Sequence, residues 1–247
     1  MKDYLLVSVG NSNSQVALAC GSSILSLETF PTSQFFETEG LPEPFASGAR
    51  LPILVACVVP AVKKALKAAT GGGLMQFLTA DLVTEVDFSG VEALSIGADR
   101  LANAVAAVTL GALPLIVIDC GTAITTEVVD GHGVFRGGAI APGRLVLRRA
   151  LNSFTGQLPE IPMTDHLPAA LGTTTVDAIT AGCDLGAVGT VARLIEESRR
   201  ELGQPDCRAI AIGGDAPYFA QCLPELDLGP DDFTFRGLAT VAARIFA

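Results

Sequence analysis

Ile116-Val117-Ile118-Asp119-Cys120-Gly121-Thr122-Ala123-Ile124-Thr125 decides how this chain is read. An apolar, β-branched run ends on a carboxylate, turns at a glycine beside a hydroxyl residue, and runs on as a second strand. The chain carries the same pattern once before, as Leu5-Leu6-Val7-Ser8-Val9-Gly10-Asn11-Ser12-Asn13-Ser14. Superposing Gly10 on Gly121 sets Asn11 beside Thr122, Ser12 beside Ala123 and Ser8 beside Asp119. The later copy has an acid where the earlier one has a hydroxyl.

With 247 residues the chain has room for one or two domains and a sizeable core. It is 49% hydrophobic and 17% charged, the balance of a folded protein. Its formal net charge of -10 argues against nucleic acid or an anionic membrane as the main partner. An anionic nucleotide remains open, because backbone N–H groups and a metal hold such ligands locally. Cys20, Cys57, Cys120, Cys183, Cys207 and Cys222 are scattered, with no CxxC pair, and read as reduced core residues. No apolar run approaches the ~18 residues of a membrane span, and the start of the chain lacks a signal-peptide layout. The expected setting is the cytoplasm.

Tyr4 to Val9, Gln15 to Cys20 and Ser22 to Leu27 read as three strands, with a hairpin turn at Gly21-Ser22. The first glycine loop is thus followed by a strand. Rossmann and P-loop sites place a helix there, and neither of their glycine patterns occurs. Phe30 to Arg50 is punctuated by Pro and Gly, with a short helix near Thr32–Thr38. A strand over Ile53–Val58 leads to a helix from Pro60 to about Ala69, stopped by Gly71-Gly72-Gly73. Leu74 to Leu78 is a short strand, and Val83 to Glu92 is irregular.

Gly97-Ala98-Asp99-Arg100 opens a helix reaching Leu110, with Leu101, Val105 and Val108 on one face; Gly111 and Pro114 end it. The central strand follows from Leu115. Ile124–Val129 and Val134–Gly138 form a hairpin about Asp130-Gly131-His132-Gly133. Pro142 starts a helix to Asn152, and Ser153 to Gly172 is a loop. A long helix spans Thr175–Leu202, where Gly182, Gly186 and Gly189 suggest close packing. Arg208–Ile212 is a strand, Gly213-Gly214 a turn, Pro217–Leu223 a helix, and Gly237 opens the last helix. Each half therefore begins with a hairpin and a phosphate-type loop. That duplication, with a cleft between halves, resembles the actin/hexokinase/Hsp70-like architecture. The expectation is an α/β chain of two ribonuclease-H-like (actin-like ATPase) domains, residues 1–112 and 113–247.

Several residues bear chemistry. Gly10-Asn11-Ser12 and Gly121-Thr122-Ala123 are either anion nests or polar turns, and their repetition after strands favours phosphate. Asp119 ends a buried strand, where it either holds a cation near phosphates or caps the turn. Asp99 at a helix N-terminus could take a hydroxyl proton, and Arg100 could clamp a carboxylate; both also suit an ordinary helix start. Gly213-Gly214 either admits a flat base or makes a tight βα turn. His132 and His166 read as surface residues, and Lys63, Lys64 and Lys67 as a solvated helix face.

Together these segments resemble the type III pantothenate kinase family. Val7 to Ser12 is similar to its DxGNT/S motif and Val58-Val59-Pro60 to its SVVP turn. Gly97 to Val105 is similar to GADR(I/L)xNAV, Asp119 to Ala123 to DxGTA, and Gly137 to Gly143 to GGAIAPG. Thr155 with Leu158-Pro159 is similar to TAxLP. Gly172 to Thr175 resembles GK(N/S)T, and Ile212-Gly213-Gly214 the adenosine motif. The matches run in order along nearly the whole chain.

The resemblance implies ATP-dependent phosphorylation of pantothenate by a homodimer that uses Mg²⁺ and K⁺ or NH₄⁺. It implies Asp99 as the catalytic base and Gly97, Arg100 and Thr175 as pantothenate contacts. Phe88 stands for a tyrosine lining that pocket. Asp119 is the implied cation residue; Ser8, Gly10, Asn11, Ser12, Gly121, Thr122, Ala123, Gly213 and Gly214 form the implied ATP site. Three features depart from the family. Ser8 replaces the first motif's Asp, and a neutral hydroxyl cannot supply that charge at a metal–phosphate site. Val86 to Ile96 lacks the aromatic-x-NP-x-E approach, and Thr173 replaces a basic residue. Two functions stay open: a kinase, weakened or not by Ser8, and a non-catalytic homologue that binds nucleotide or a pantothenate-like ligand and regulates a partner. A sugar or acetate kinase of the same superfamily fits GADRLANAV less well.

Overall fold

The computed structural model describes residues 2–37, 51–69 and 74–246. The expected glycine stop at 71–73 and the Pro- and Gly-punctuated stretch from Thr38 to Arg50 lie outside the described residues. In chain order the elements are β1 (Asp3–Val9), β2 (Asn13–Cys20), β3 (Ser23–Pro31), α1 (Gln34–Glu37), β4 (Ile53–Cys57), α2 (Pro60–Ala69) and β5 (Met75–Phe77). There follow α3 (Ala98–Leu110), β6 (Leu115–Cys120), β7 (Ala123–Val129), β8 (Phe135–Gly137), β9 (Ile140–Pro142), α4 (Arg144–Phe154) and α5 (Thr175–Leu202). The chain ends with β10 (Arg208–Ile212), α6 (Ala216–Cys222), β11 (Leu226–Leu228) and α7 (Phe233–Ile245). Two compact units result. One comprises Met1–Ala112, Gly133–Phe135 and Asp232–Ala247, the other Leu113–His132 and Arg136–Asp231. Asp232–Ala247, grouped with the second half in the sequence reading, thus packs in the first unit.

The first unit has a sheet ordered β3-β2-β1-β4-β5. β1 pairs antiparallel with β2 and parallel with β4. Leu5, Val7 and Val9 alternate onto one face and meet Val55, Val62 and Leu66 in a core cluster. Each fully buried aliphatic side chain of this kind contributes roughly 1.5–3 kcal/mol. Pro60 starts α2, where its missing N–H costs nothing. α3 is buried almost all round, from Leu101 to Ala107, not on one stripe. The reason is α7: a β-carbon on Gly237 would lie 1.9 Å from the Ala102 carbonyl, so the two helices meet backbone to backbone. Gly111, at φ 71°, ends α3 in the left-handed conformation glycine favours.

The second unit has a sheet ordered β11-β10-β6-β7-β8, with β9 on β7. β6 lies between antiparallel β7 and parallel β10. Its residues Ile116, Ile118 and Cys120 face Ala187, Val191 and Ile195 of α5 and Phe219 of α6. α5 is long and apolar enough by composition to cross a bilayer, with mean hydropathy 1.3 in its best window. One face of it, through Ala187, Val191 and Ile195, packs into the core of this unit.

Three expectations are corrected and one strand is added. Pro142 does not start α4; it pairs with Ala123 as the end of β9, and α4 begins after Gly143. Leu226–Leu228 is a strand that three residues of pattern could not reveal. α7 begins at Phe233, before Gly237. Among the described residues Gly182, Gly186 and Gly189 pack closely against nothing, since a β-carbon on any of them would meet no atom within 4 Å.

Candidate functional site

The first-unit loop lies between the paired residues Val9 and Ser14. The second-unit loop lies between Cys120 and Ile124, and so is one residue shorter. In the first, Gly10 N–H donates to the Asn13 carbonyl at 3.1 Å, and a β-carbon on Gly10 would lie 2.9 Å from that oxygen. Thr32 braces the loop from β3's end. Its N–H donates to Ser12 O at 2.9 Å and its hydroxyl to Gly10 O at 2.8 Å. Because that proton is committed, the buried Ser14 hydroxyl donates to Thr32 Oγ1 at 2.8 Å. Asn11 and Ser12 are left exposed at the tip, while Ser8 is half-buried, opposite Gln15 and Ala56.

Asp99 and Arg100 occupy the first turn of α3. The Asp99 carboxylate folds back and accepts the Arg100 N–H at 2.8 Å. A β-carbon on Gly97 would sit 2.7 Å from Asp99 Oδ1, so glycine there makes room for this rotamer. Burial pushes the Asp99 carboxyl above its ordinary value, against the pull of the Arg100 N–H and charge. A carboxylate with a raised pKa at a helix start is suited to accepting a proton. The Arg100 guanidinium lies over the Phe135 ring at 5.9 Å, and Phe135 packs on Phe88 at 5.4 Å. Backbone bonds between Asp87 and residues 133 and 135 hold the two aromatics in place. The structure thus brings Phe88 and Arg100 together through Phe135. The sequence read Phe135 only as part of a hairpin strand; its place behind Arg100 depends on the bridge from Asp87 to Val134, which joins segments some 47 positions apart and leaves no local mark.

In the second unit, Asp119 closes β6, half-buried between Thr125 and Ile212. Its Oδ1 would lie 2.5 Å from a β-carbon on Gly213 and 3.9 Å from one on Gly121. The Asp119 carboxylate, Gly121 and Gly213 therefore share one spot. Gly121 N–H donates to Ala123 O at 3.0 Å, and Gly143 N–H to Thr122 O at 3.0 Å. A β-carbon on Gly143 would overlap Gly121 O at 2.1 Å, and one on Gly138 would overlap Thr126 O at 1.7 Å. These overlaps are the physical content of the Gly137 to Gly143 segment. Asp215 N–H donates to Cys120 O at 2.9 Å and fixes the Gly213-Gly214 turn to β6. Burial pushes the Cys120 thiol far up, with Asp119 and Asp215 adding to it, so it stays neutral.

Thr175 is exposed at the start of α5, where the Thr174 hydroxyl caps the helix by accepting from Asp177 N–H. His132 and His166 are exposed, as expected. All six cysteines are free. Among the described residues no group of three His, Cys, Asp or Glu side chains could cage a metal. A divalent ion at Asp119 would take its other ligands from phosphate oxygens and water, the usual habit of Mg²⁺. Asp119, with Gly121 and Gly213 beside it, fits that demand.

The sequence profile of the type III pantothenate kinase family matches residues 4–197. A type III pantothenate kinase of Rhodospirillum rubrum is 43% identical over 149 residues, which cover 60% of this chain and 57% of that protein. The chain thus aligns with under two thirds of the length of that relative. A type III pantothenate kinase of Akkermansia muciniphila is 32% identical over 243 residues, covering 97% of this chain and 98% of that protein. Among solved structures, MreB5 of Spiroplasma citri bound to ADP superposes with a TM-score of 0.56 at 11% identity, covering 99% of this chain and 97% of that one. That likeness concerns the fold alone, which is the actin-like ATPase fold.

Proposed function

The chain belongs to the type III pantothenate kinase family, and from that premise we propose that it transfers the γ-phosphoryl group of ATP to the hydroxyl of pantothenate. The product is 4'-phosphopantothenate, and the step is the first toward coenzyme A. One observation carries this reading above the others. Asp99 is a half-buried carboxylate with a raised pKa at the start of α3, next to Arg100, inside the GADRLANAV segment.

In this reading Asp99 accepts the hydroxyl proton as the substrate oxygen attacks phosphorus. Arg100, steadied over Phe135, pairs with the pantothenate carboxylate, and Phe88 and Gly97 line the same side. Thr175 is a further contact. Gly121, Thr122 and Ala123, with Gly213 and Gly214, receive the nucleotide. Ser8, Gly10, Asn11 and Ser12 receive phosphate oxygens on the loop braced by Thr32. Asp119 would hold Mg²⁺, or K⁺ or NH₄⁺, whose charge offsets that of the transferring group. The protein works in the cytoplasm as a homodimer.

Ser8 favours a second reading, a homologue that binds these ligands without turnover, because a hydroxyl stands where the first motif carries an acid. Phosphorylation assays with ATP, pantothenate, Mg²⁺ and K⁺ on wild type, Ser8→Asp and Asp99→Asn separate the two. Turnover by wild type that Asp99→Asn abolishes supports the kinase. Silence in wild type and Ser8→Asp, with ligand still bound, supports the second reading.

A further inference from the structure

The first residue of α4, Arg144, belongs to no segment assigned a role above, yet it is 1% exposed. Arg148, one turn on, is fully buried, as is Asp184 of α5. Arg148 grips Asp184 with two parallel bonds of 2.8 and 2.9 Å. Arg144 Nε donates to Asp184 Oδ1 at 2.9 Å, and the Thr164 hydroxyl reaches Oδ2 at 3.2 Å. Two guanidiniums thus share one carboxylate, leaving an excess positive charge inside the protein, where such a charge is costly.

The balancing anion is Asp215, whose Oδ1 lies 3.6 Å from Arg144 Nη1. Asp215 is part of the Gly213-Gly214 turn and is tied to β6 through Cys120 O. The Arg144 guanidinium carbon also lies over the ring of Tyr218 of α6, the helix the turn leads into, 3.5 Å from its centre. On its other side, Arg144 follows Gly143, which bonds the Thr122 carbonyl of the phosphate loop. One buried residue therefore touches the turn by charge and the loop through its neighbour.

We propose that Arg144 is a positioning residue that, held by Asp184 and Arg148, sets the Gly213–Asp215 turn against Asp119 and so fixes the affinity for the adenine nucleotide. The inference rests on the reading that the second unit receives ATP. It needs no turnover.

The test is calorimetric binding of ATP and, separately, of pantothenate to wild type, Asp215→Asn, Arg144→Gln and Arg144→Lys. Asp215→Asn is expected to weaken ATP binding about tenfold, the scale of one lost ion-pair coupling. Pantothenate affinity is expected to stay within about twofold, a shift below that same coupling scale. Arg144→Gln should match that loss, Arg144→Lys should recover part of it, and the Asp215→Asn/Arg144→Gln pair should lose no more than either alone. ATP affinity within about twofold of wild type in folded Asp215→Asn overturns the proposal, as does equal weakening of both ligands. Should the Arg144 variants not fold, Asp215→Asn decides, since its side chain is 26% exposed. Wild type that binds ATP but leaves pantothenate unphosphorylated removes the kinase reading and leaves this comparison standing. Wild type that binds no ATP removes both.

Discussion

A β-carbon on Gly213 would lie 2.5 Å from Oδ1 of Asp119, and Gly213 holds φ at +89°. The close approach of this turn to the end of β6 therefore requires glycine twice, for space and for backbone conformation. Gly214 next to it has nothing within 4 Å of a β-carbon. Gly213→Ala is expected to cost about 3 kcal/mol, the range of a strained backbone plus a steric overlap. Gly214→Ala is expected to stay within about 0.5 kcal/mol. Urea unfolding of both variants checks the contrast. ATP affinity should fall only in the first, because only there must Asp119 move.

Asp99→Asn separates chemistry from stability. Loss of a general base lowers turnover by about 10²–10⁴-fold. The fold should not suffer, because burial raises the Asp99 pKa and the charged form is the disfavoured one. The sign follows from linkage: a carboxyl whose folded pKa lies above its unfolded value opposes folding while both states are ionised. That opposition fades as pH falls through the raised folded value toward the ordinary one. Asp99→Asn should therefore be at least as stable as wild type at pH 7, and wild type should gain on it as pH falls through that window. With Asp99 as the proposed base, the acid limb of kcat/KM is expected above the range of an exposed aspartate. A variant that is inactive and also clearly less stable at pH 7 would contradict this account.

Much of the fold around these residues was readable because local chemistry encoded it. β1, α2 and the two glycine loops announce themselves through a buried apolar run, Pro60 and a repeated strand-then-glycine pattern, and α5 through a long run of small and apolar residues. The Arg144–Asp184–Arg148 cluster did not, because its members are 40 and 36 positions apart in sequence and only folding joins them. Thr32 lay in a punctuated stretch where nothing local marks a hydroxyl as a brace for Gly10. Pro142 misled for a physical reason. Proline suits both a helix start and the end of an edge strand, and only the pairing with Ala123 distinguishes them. The glycines of α5 misled similarly, since a small-residue stripe in sequence is the same whether it meets a helix or open space.

Phe135 is expected to tune substrate affinity from behind Arg100. The guanidinium lies 5.9 Å from its ring, and Phe88 packs against it with ring centres 5.4 Å apart. Phe135→Leu keeps a buried apolar residue and is expected to cost about 1–2 kcal/mol of stability. It removes the cation–π contact, worth about 0.5–1 kcal/mol, which corresponds to a rise in the pantothenate KM of about two- to fivefold. KM for ATP should not change. Steady-state kinetics with each substrate varied in turn gives the answer, and an equal rise in both constants would assign Phe135 to general packing.

Asp184 is the group whose loss should damage the second unit most. Asp184→Asn keeps the shape of the side chain but leaves the Arg144 and Arg148 guanidiniums without their buried anion. Breaking a buried ion pair from one side costs about 3–5 kcal/mol. Burial alone would push the Asp184 carboxyl up, but its bonds from Arg148 and then Arg144 outweigh burial and hold it below the ordinary value. With the folded value lowered, its stabilising contribution is present in full above the unfolded pKa and is lost as pH falls through the folded one. The gap between wild type and Asp184→Asn should therefore be widest near neutrality and shrink on acidification below the usual carboxylate range. Denaturant unfolding of both proteins at neutral and acid pH measures it. A gap that does not depend on pH would trace the cost to packing and not to charge. Replacing Arg144, Asp184 and Arg148 together by Met, Leu and Met removes every buried charge of the trio. Asp215 then loses its partner but can turn to solvent, so the triple variant should be more stable than Asp184→Asn alone.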